Sequence, residues 1–271
     1  MEAVQVTDLH ATLNPPATVA PTKVVVEQQP IHVLVYGDPG GGKTTFATTF
    51  PTPILYFTFD AVGKEMPVLR LGKPGPLNDG VRQVLGKNGE LVAQVEYFHD
   101  LLVNKPVAYQ KFMARLASVS ADMGKFKTLV LDSVTSMELA ARKQQQYSIN
   151  PQSKDPRQWF AGTTERLEEV LCIWLGALHN INVVVCAHID EDKDELHGTF
   201  VRNPAAPGRL RKRLAAYYAE MYRVYASRPD QSKPAKYLLQ TRSNQLYNAT
   251  SVVAEAPDPC DATYAALWAS K

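Results

Sequence analysis

The stretch His32-Val33-Leu34-Val35-Tyr36-Gly37-Asp38-Pro39-Gly40-Gly41-Gly42-Lys43-Thr44-Thr45 decides the fold. It begins with an apolar run typical of a buried strand, passes through a glycine-rich turn and ends where a helical pattern begins. It contains the pattern G-x-x-x-x-G-K-[ST] in the strand, loop and helix context that a phosphate-binding loop requires. The alternative, a glycine-rich turn without a ligand, does not explain that context. The sequence therefore predicts a nucleotide-phosphate site.

Each residue type in this loop suits a bound phosphate. Backbone N–H groups must turn inward around the phosphate oxygens, and glycines leave room for this. The start of the helix adds free N–H donors and the positive end of the helix dipole. Lys43 can reach the β- and γ-phosphates, and the Thr44 hydroxyl is the expected Mg²⁺ ligand. The residues predicted to bind the nucleotide are Gly37, Asp38, Pro39, Gly40, Gly41, Gly42, Lys43, Thr44 and Thr45.

Composition limits the class of protein. The 271 residues suit one α/β domain with elaborations or tails, and 45% hydrophobic residues support a sizeable core. A net charge of +2 means that nucleic-acid binding would need local patches. Cys172, Cys186 and Cys260 are widely spaced, which favours buried thiols over a disulfide frame or a zinc site. We find no membrane-length apolar run and no signal peptide, so we expect a cytoplasmic protein without membrane contacts.

A second apolar run, over 128–132, ends in Asp132. A strand that ends in Asp, downstream of a phosphate-binding loop and an amphipathic helical pattern over 106–123, is typical of a Walker B motif. We expect this strand to lie beside the strand at 32–36, with Asp132 holding Mg²⁺ directly or through water. Thr44 and Asp132 together thus predict a Mg²⁺ and ATP site.

Two further predicted strands, over 54–59 and 182–187, each precede a polar residue, Asp60 and His188. Ligands bind at the C-terminal ends of the strands of an open parallel sheet. Asp60 could accept the proton of an attacking water, although a turn-forming role stays open and Glu65 is a nearby competitor. His188 could sense the γ-phosphate, and its alternative is a structural role.

Cations lie close to aromatic residues in two segments. In the first, 148–160, Lys154 and Arg157 precede Trp159 and Phe160, a composition that can contact single-stranded nucleic acid. The slightly favoured alternative is that these two aromatic residues begin the next helix and pack into the core. The acidic residues from 190 to 195, with His197, favour a solvated loop over a metal site.

The second segment with cations carries Arg202, Arg209, Arg211, Lys212 and Arg213. Binding of these cations to polynucleotide phosphates and a solvated helix face are equal alternatives.

The chain divides into three parts. Residues 1–30 are proline-rich and predict a flexible arm with a short strand at 23–27, either a tail or an arm that docks on a neighbouring subunit. Residues 31–254 form the ATPase domain, with a loop and hairpin insertion over 63–105. Two late strands, over 219–226 and 235–241, flank a turn at Pro229-Asp230, and a short strand is expected at 252–253. Residues 255–271 form a tail with a small helix.

These motifs, in this order, resemble the RecA-like ATPase core over roughly residues 31–253. They are the loop quoted above, Leu129-Val130-Leu131-Asp132-Ser133 and Val184-Val185-Cys186-Ala187-His188. The closest likeness is to small phage-encoded RecA/RadA-type ATPases, known as ATP-binding or single-strand-annealing recombination proteins. The resemblance implies an α/β fold, a RecA-like P-loop NTPase core with a mainly parallel central sheet flanked by helices and a C-terminal antiparallel extension.

The same resemblance implies an ATPase that binds single-stranded DNA and assembles into rings or filaments in the cytoplasm of a bacterial host. DNA would contact residues 148–160 and 189–208, and a cation of the late hairpin, Arg242 or Lys236, would reach a neighbour's ATP site. A single-strand DNA-binding protein is a further candidate partner. The implied DNA contacts are Lys154, Arg157, Arg202, Arg209 and Arg211.

One departure from that family concerns the catalytic base. The family often carries D-x-E after the second strand, with Glu polarising the attacking water, whereas this chain reads Thr58-Phe59-Asp60-Ala61-Val62. If Asp60 aligns with the Glu, the base is kept in a shorter form; if it aligns with the Asp, Val62 takes the base position and hydrolysis is slow. The second alternative favours a nucleotide-switched assembly or partner-binding module with little turnover. A P-loop kinase is less consistent, because no Arg-rich lid is evident.

Overall fold

The computed structural model describes residues 29–102, 104–193, 200–228, 232 and 234–268, apart from the side chain of Lys212. The predicted strand at 23–27, almost all of the predicted arm and the predicted turn at Pro229-Asp230 lie outside these residues, as does His197. None of the helices in the described ranges is long and apolar enough to cross a membrane.

Strands and helices alternate along the first two thirds of the chain. The strands are β1 (His32–Tyr36), β2 (Ile54–Thr58), β3 (Lys73–Pro74), β4 (Val81–Leu85), β5 (Leu91–Tyr97), β6 (Thr128–Asp132), β7 (Asn182–Ala187), β8 (Ile189–Lys193), β9 (Phe200–Pro204), β10 (Glu220–Ser227), β11 (Lys236–Gln240), β12 (Thr250–Ser251) and β13 (Cys260–Asp261). The helices are α1 (Lys43–Ala47), α2 (Met66–Leu69), α3 (Ala108–Asp122), α4 (Val134–Gln144), α5 (Pro156–Glu168), α6 (Leu210–Tyr217) and α7 (Tyr264–Leu267). A 3₁₀ turn (Met123–Lys125) follows α3, and π-helical turns follow α4 (Gln145–Ile149) and α5 (Glu169–Trp174).

One large sheet organises the molecule. Its strand order is β13-β11-β10-β1-β7-β6-β2-β5-β4-β3, with β12 paired to β10. Every pairing from β10 across to β5 is parallel, and the pairings at both margins are antiparallel. The predicted α/β class, with a mainly parallel central sheet and an antiparallel C-terminal extension, is confirmed.

Helices cover both faces of the sheet, which is why β2, β6 and β7 are buried along their whole length. On one face, Phe57 and Leu131 pack with Phe112 of α3 and Leu167 of α5. The other face packs against α1 and α7, through side chains that include Val33, Phe46, Tyr222 and Leu267. The C-terminal ends of the parallel strands are left free to form a site.

The predicted neighbour of β1 is wrong. The strand that ends in Asp132, β6, does not lie beside β1, because β7 is inserted between them and pairs with both. Val185 of β7 lies opposite Leu34 on one side and Leu131 on the other. All three strands are short apolar runs, and nothing in such a run specifies which parallel neighbour it takes.

The solvated loop predicted for the acidic residues from 190 to 195 is wrong over 190–193, because β8 and β9 form an antiparallel hairpin there; residues 194 and 195 lie outside the described residues. Asp190, Glu191 and Asp192 lie on its first strand. Glu191 lies opposite Arg202, and their side chains form an ion pair at 2.7 Å between the guanidinium and the carboxylate. Opposite charges across a strand pair stabilise the pairing. A run of acidic residues that is typical of a solvated loop therefore forms a strand here.

The last predicted strand, at 252–253, is shifted: the strand is β12, Thr250–Ser251. The backbone N–H groups of Val252, Val253 and Ala254 donate instead to the carboxylate of Glu220, at 2.8, 2.5 and 3.1 Å. These N–H groups bind a buried side chain, so they do not extend the strand.

Other local predictions differ mainly in their boundaries. The hairpin of β4 and β5 and the helix α3 are confirmed, but β5 also joins the main sheet beside β2. The helix predicted to start at Trp159 and Phe160 begins slightly earlier, at Pro156, because the Asp155 side chain accepts a hydrogen bond from the N–H of Arg157 and caps it. The helix predicted over 43–50 ends at Ala47. Of the cysteines, Cys186 is buried, and Cys172 and Cys260 are partly exposed.

Candidate nucleotide site

The loop between β1 and α1 has the backbone that its glycines allow. Gly40 and Gly42 have φ values of 76° and 104°, a region that residues with a Cβ rarely adopt. A Cβ on Gly37 would lie 2.3 Å from the carbonyl oxygen of Val224, and one on Gly42 would lie 2.5 Å from the ring of Tyr237. Glycine is therefore required at position 42 both by conformation and by the close approach of β11.

Lys43 lies folded over this loop. Its Nζ donates hydrogen bonds to the carbonyl oxygens of Gly37 at 2.9 Å and Asp38 at 3.1 Å, and lies 3.5 Å from Nδ1 of His188. The residue is only 7% exposed. Burial lowers the pKa of Lys43, and the nearby carboxyl groups of Asp132 and Asp60 counteract part of that effect. A phosphate at the loop would offer this ammonium group better partners than the two carbonyls.

Asp132, at the end of β6, is buried and receives two hydroxyl groups. Its Oδ2 accepts hydrogen bonds from Oγ1 of Thr44 at 2.7 Å and from the hydroxyl of Tyr56 at 2.5 Å. Burial raises the pKa of Asp132, and these two hydrogen bonds oppose the rise. Sequence reasoning missed Tyr56, because a tyrosine in an apolar strand is typical of core packing.

Asp60 follows β2 and lines the same cavity. One oxygen of its carboxylate, Oδ1, accepts a hydrogen bond from the hydroxyl of Ser136 in the first turn of α4. Glu65 is held differently: its Oε1 accepts from the hydroxyl of Tyr97 and its Oε2 from the N–H of Gly63, both at 2.7 Å. Glu65 is buried and is not among the residues that line the cavity. Of the two competing carboxylates, only Asp60 faces the phosphate loop.

His188 follows β7, directly beside Lys43. Its backbone N–H donates to Oγ1 of Thr135 at 3.2 Å, which ties the end of β7 to the first turn of α4. Burial lowers the pKa of His188, and the positive charge of Lys43 lowers it further. The imidazole is thus neutral at physiological pH and can exchange hydrogen bonds with a phosphate or a water.

These side chains share one cavity of about 450 Å³, a volume within the usual range for small-molecule sites. Its lining combines the predicted groups with Lys64 and Tyr237, which sequence reasoning did not single out. The lining residues are Pro39, Gly40, Gly42, Lys43, Thr44, Thr45, Asp60, Ala61, Lys64, Pro67, Asp132, His188 and Tyr237.

The predicted cations of the late hairpin do not reach this cavity. Arg242 is exposed just beyond the end of β11. Lys236 begins β11 and forms an ion pair with Asp261, at 2.7 Å between Nζ and Oδ1. Neither residue is among those that line the cavity of its own chain.

The oxygen donors of Thr44 and Asp132 fit a magnesium ion. Mg²⁺ is usually held by one or two protein oxygens together with waters and substrate phosphates. Within the described ranges, no group of three or more His, Cys, Asp and Glu side chains could hold a metal unaided. These residues therefore suit a metal that arrives with a nucleotide.

The candidate DNA contacts are mostly paired with acidic residues. Arg202 pairs with Glu191, Arg211 with Asp190 at 3.1 Å, and Arg157 with Asp155 at 3.5 Å; Lys154 and Arg209 are exposed.

The two aromatics next to these cations belong to α5, as the slightly favoured alternative predicted, but the packing in the core that it also predicted is wrong for Phe160. Trp159 is half-buried and donates from Nε1 to the carbonyl oxygen of Asn150 at 3.1 Å. Phe160 remains 46% exposed, with the guanidinium of Arg142 lying 5.3 Å from its ring centre.

A glycine-rich phosphate loop, a buried lysine over it and a hydroxyl–carboxylate pair on a mainly parallel sheet define a P-loop nucleotide-binding core. The chain belongs to the AAA domain family, whose match covers residues 29–251.

Solved structures similar to the chain include a KaiC-like protein, PH0186, from Pyrococcus horikoshii OT3. It is 14% identical, with a TM-score of 0.40, over 79% of each chain. The flagellar accessory protein FlaH from Methanocaldococcus jannaschii is 10% identical, also with a TM-score of 0.40, over 86% of this chain and 84% of its own. A comparison with curated proteins finds no match.

Proposed function

We propose that the protein binds ATP with Mg²⁺ in the P-loop cavity and hydrolyses it. The observation that carries this proposal is the cavity itself, which gathers a phosphate loop, Lys43, the Thr44–Asp132 pair and the separate carboxylate of Asp60. The loop N–H groups and Lys43 would hold the phosphates. Mg²⁺, held by Thr44 and Asp132, would neutralise charge on the phosphate oxygens.

In the proposed reaction, a water oxygen bonds to the γ-phosphorus while the bond from that phosphorus to the β–γ bridging oxygen breaks. ADP leaves with the electron pair, one proton of the water passes to Asp60, and the other stays on the inorganic phosphate that forms. Ser136 fixes Oδ1 of Asp60, so Oδ2 is the oxygen available for the proton. Lys43 stabilises the charge that develops on the phosphate oxygens, and positioning accounts for most of the catalysis in such sites.

Lys43→Ala tests this proposal. We expect it to abolish ATP turnover and to weaken nucleotide binding, since the loop loses its only buried ammonium group. Lys125→Ala is a matched control, because Lys125 lies on the surface in an ion pair with Asp122. Turnover by Lys43→Ala at the rate of the unaltered protein would overturn the proposal.

We further propose that this ATPase acts on single-stranded DNA, in phage recombination or annealing, as the RecA-like resemblance implies. Support comes from the exposed Lys154 and Arg157, which lie in the same segment of the chain as the exposed ring of Phe160. Arg157 is 94% exposed and its ion pair with Asp155 is long, at 3.5 Å, whereas Arg202 and Arg211 are held in shorter ion pairs, so the segment at 148–160 would contribute most.

A DNA titration at several salt concentrations tests this part. We expect single-stranded DNA to stimulate ATP turnover and the Lys154→Ala/Arg157→Ala double variant to bind DNA more weakly, with a smaller salt dependence. Lys125→Ala again serves as the control. Absence of DNA binding at low salt would contradict the proposal while leaving ATP hydrolysis intact.

The proposed assembly into rings or filaments gives Arg242 a role in a neighbour's site. Its exposure, away from its own cavity, supports a contribution between subunits. We expect Arg242→Ala alone to lose turnover, and a mixture of Arg242→Ala with Lys43→Ala to recover part of it, since mixed interfaces then hold both groups. A mixture no more active than its separate components, or a monomer with and without nucleotide by light scattering, would contradict this role.

A second candidate function is a nucleotide-switched assembly or partner-binding module with little turnover. The observation that favours it is Val62, which is 64% exposed at the alternative base position and cannot activate water. Single-turnover kinetics separate the two functions: slow hydrolysis with nucleotide-dependent changes in mass would favour the switch.

A further inference from the structure

Tyr56 contacts the carboxylate of Asp132, the proposed magnesium ligand, from the interior of the sheet. In the parallel pair of β2 and β6, Tyr56 lies opposite Val130 and Thr58 lies opposite Asp132. Tyr56 and Asp132 are therefore diagonal neighbours, and the length of the tyrosine ring spans the distance between them. Its hydroxyl donates to Oδ2 of Asp132 at 2.5 Å, and the residue is 1% exposed.

We infer that Tyr56 is a positioning residue, which fixes the orientation of the Asp132 carboxylate and so tunes the affinity of the site for Mg²⁺. This inference rests on the proposed function, since it concerns the metal that accompanies ATP. Groups that orient the ligands of a metal commonly affect its affinity about 10- to 100-fold.

Two donors from different elements converge on one oxygen. Thr44 lies in the first turn of α1, at the end of the phosphate loop, whereas Tyr56 lies within a fully buried strand. Both donate to Oδ2, and neither uses Oδ1. A carboxylate with one oxygen fixed from two directions keeps its other oxygen in a defined direction, which is what metal ligation requires.

The tyrosine contact comes from the sheet, whereas the second donor to Asp132 comes from the phosphate loop. Thr44 belongs to the segment that closes around phosphate, so its bond to Asp132 is subject to any change there. Tyr56 and Asp132 lie on adjacent strands joined by a regular ladder of hydrogen bonds, and Thr44 is the loop residue that meets this pair. Asp132 is thus held in place before nucleotide and metal enter.

Tyr56→Phe removes one oxygen and keeps the buried ring. We expect the Mg²⁺ concentration needed for half-maximal binding of a fluorescent ATP analogue to rise about tenfold. Binding of the same analogue in EDTA should change little, because the loop residue that the hydroxyl meets is Thr44, which is proposed to hold the metal. This split between metal-dependent and metal-independent binding is not expected from a general loss of stability.

Tyr36→Phe is the matched control. Tyr36 is equally buried, on β1, and its hydroxyl donates at 2.5 Å to the carbonyl oxygen of Asn248, not to Asp132. We expect its Mg²⁺ titration to match that of the unaltered protein. An unchanged titration for Tyr56→Phe, or an equal shift for Tyr36→Phe, would overturn the inference. Failure of the proposed function is distinguishable, because it would appear as normal turnover by Lys43→Ala.

A second measurement avoids reliance on that variant's folding. 3-Fluorotyrosine placed at position 56 alone keeps the hydroxyl and reports on its surroundings by fluorine NMR. We expect its resonance to shift when Mg²⁺ is added to the protein with the ATP analogue already bound. A resonance that Mg²⁺ leaves unmoved would contradict a link between Tyr56 and the metal.

Discussion

The hydroxyl of Ser136, in the first turn of α4, donates a hydrogen bond to the carboxylate of Asp60, two residues beyond the end of β2. Thr135, the residue before Ser136 in that helix, accepts a hydrogen bond at Oγ1 from the backbone N–H of His188. One helical turn therefore contacts both groups proposed to act at the γ-phosphate. This arrangement distinguishes Asp60 from Glu65, whose carboxylate is occupied by Tyr97 and Gly63.

Asp60→Asn should lower the turnover number of ATP hydrolysis about 100-fold or more, since an amide cannot accept the water proton. Nucleotide affinity should change little, because Asp60 does not belong to the phosphate loop. Glu65→Gln is the paired control and should keep turnover while lowering the melting temperature. The reverse pattern, with turnover lost in Glu65→Gln alone, would assign the base to Glu65.

Gly42→Ala should weaken nucleotide binding about tenfold or more. Its φ of 104° strains any residue with a Cβ by about 1–2 kcal/mol, and the new methyl group would lie 2.5 Å from the Tyr237 ring. Calorimetric titration with ADP measures the loss. Tyr237→Ala in the same chain should not restore full affinity, because the backbone strain remains. Gly124→Ala, where a Cβ has open space, should bind normally.

Glu220→Ala should lower the free energy of unfolding by about 3 kcal/mol, measured by urea denaturation. The Glu220 residue is 1% exposed, and its carboxylate accepts from three consecutive, buried or partly buried backbone N–H groups and from the buried hydroxyl of Tyr222, so its removal leaves these donors without that acceptor. Glu165→Ala, on the exposed surface of α5, should change stability by no more than about 0.5 kcal/mol. Equal effects of the two variants would show that the Glu220 carboxylate does not stabilise the fold.

The stability of the protein should fall as the pH drops below about 6.5, in part because of His32. Burial lowers the pKa of His32 from its ordinary value of 6.5. The unfolded chain therefore binds a proton at a pH where the folded chain does not, and acid favours unfolding. His32→Gln, which keeps a donor for the carbonyl oxygen of Leu178, should reduce the fall between about pH 7.5 and about pH 5.5. Part of the fall should remain, because the pKa of His188 is lowered too. Identical pH profiles would exclude a contribution from His32.

The sequence predicts those parts of the site that depend on residues close together in the chain. The phosphate loop is contiguous from Gly37 to Thr45, and its glycines specify a backbone that no other residue adopts easily. Asp132 is recognisable because a carboxylate ends an apolar strand. Both signals depend on residues that are adjacent in the chain, so one sequence is sufficient to identify them.

Contacts between segments that are far apart in the sequence leave no such local pattern. Tyr56 has the composition of an ordinary core residue, and only the register of β2 against β6 brings its hydroxyl to Asp132. Glu220 lies in a strand pattern, and its three N–H partners lie 32 to 34 residues later in the chain. The order of β1, β7 and β6 likewise depends on which buried surfaces match, which no short pattern encodes.

The insertion of β7 beside β1 has a consequence for synthesis on the ribosome. Both sheet neighbours of β1, which are β7 and β10, are made after Asp132. The first residue of the phosphate loop also anchors to β7, since the N–H of Gly37 donates to the carbonyl oxygen of Ala187. A nascent chain that has emerged only as far as β6 holds the loop's residues but lacks the strands that shape it. ATP can therefore assist the folding of this site only after β7 and β10 have been synthesised.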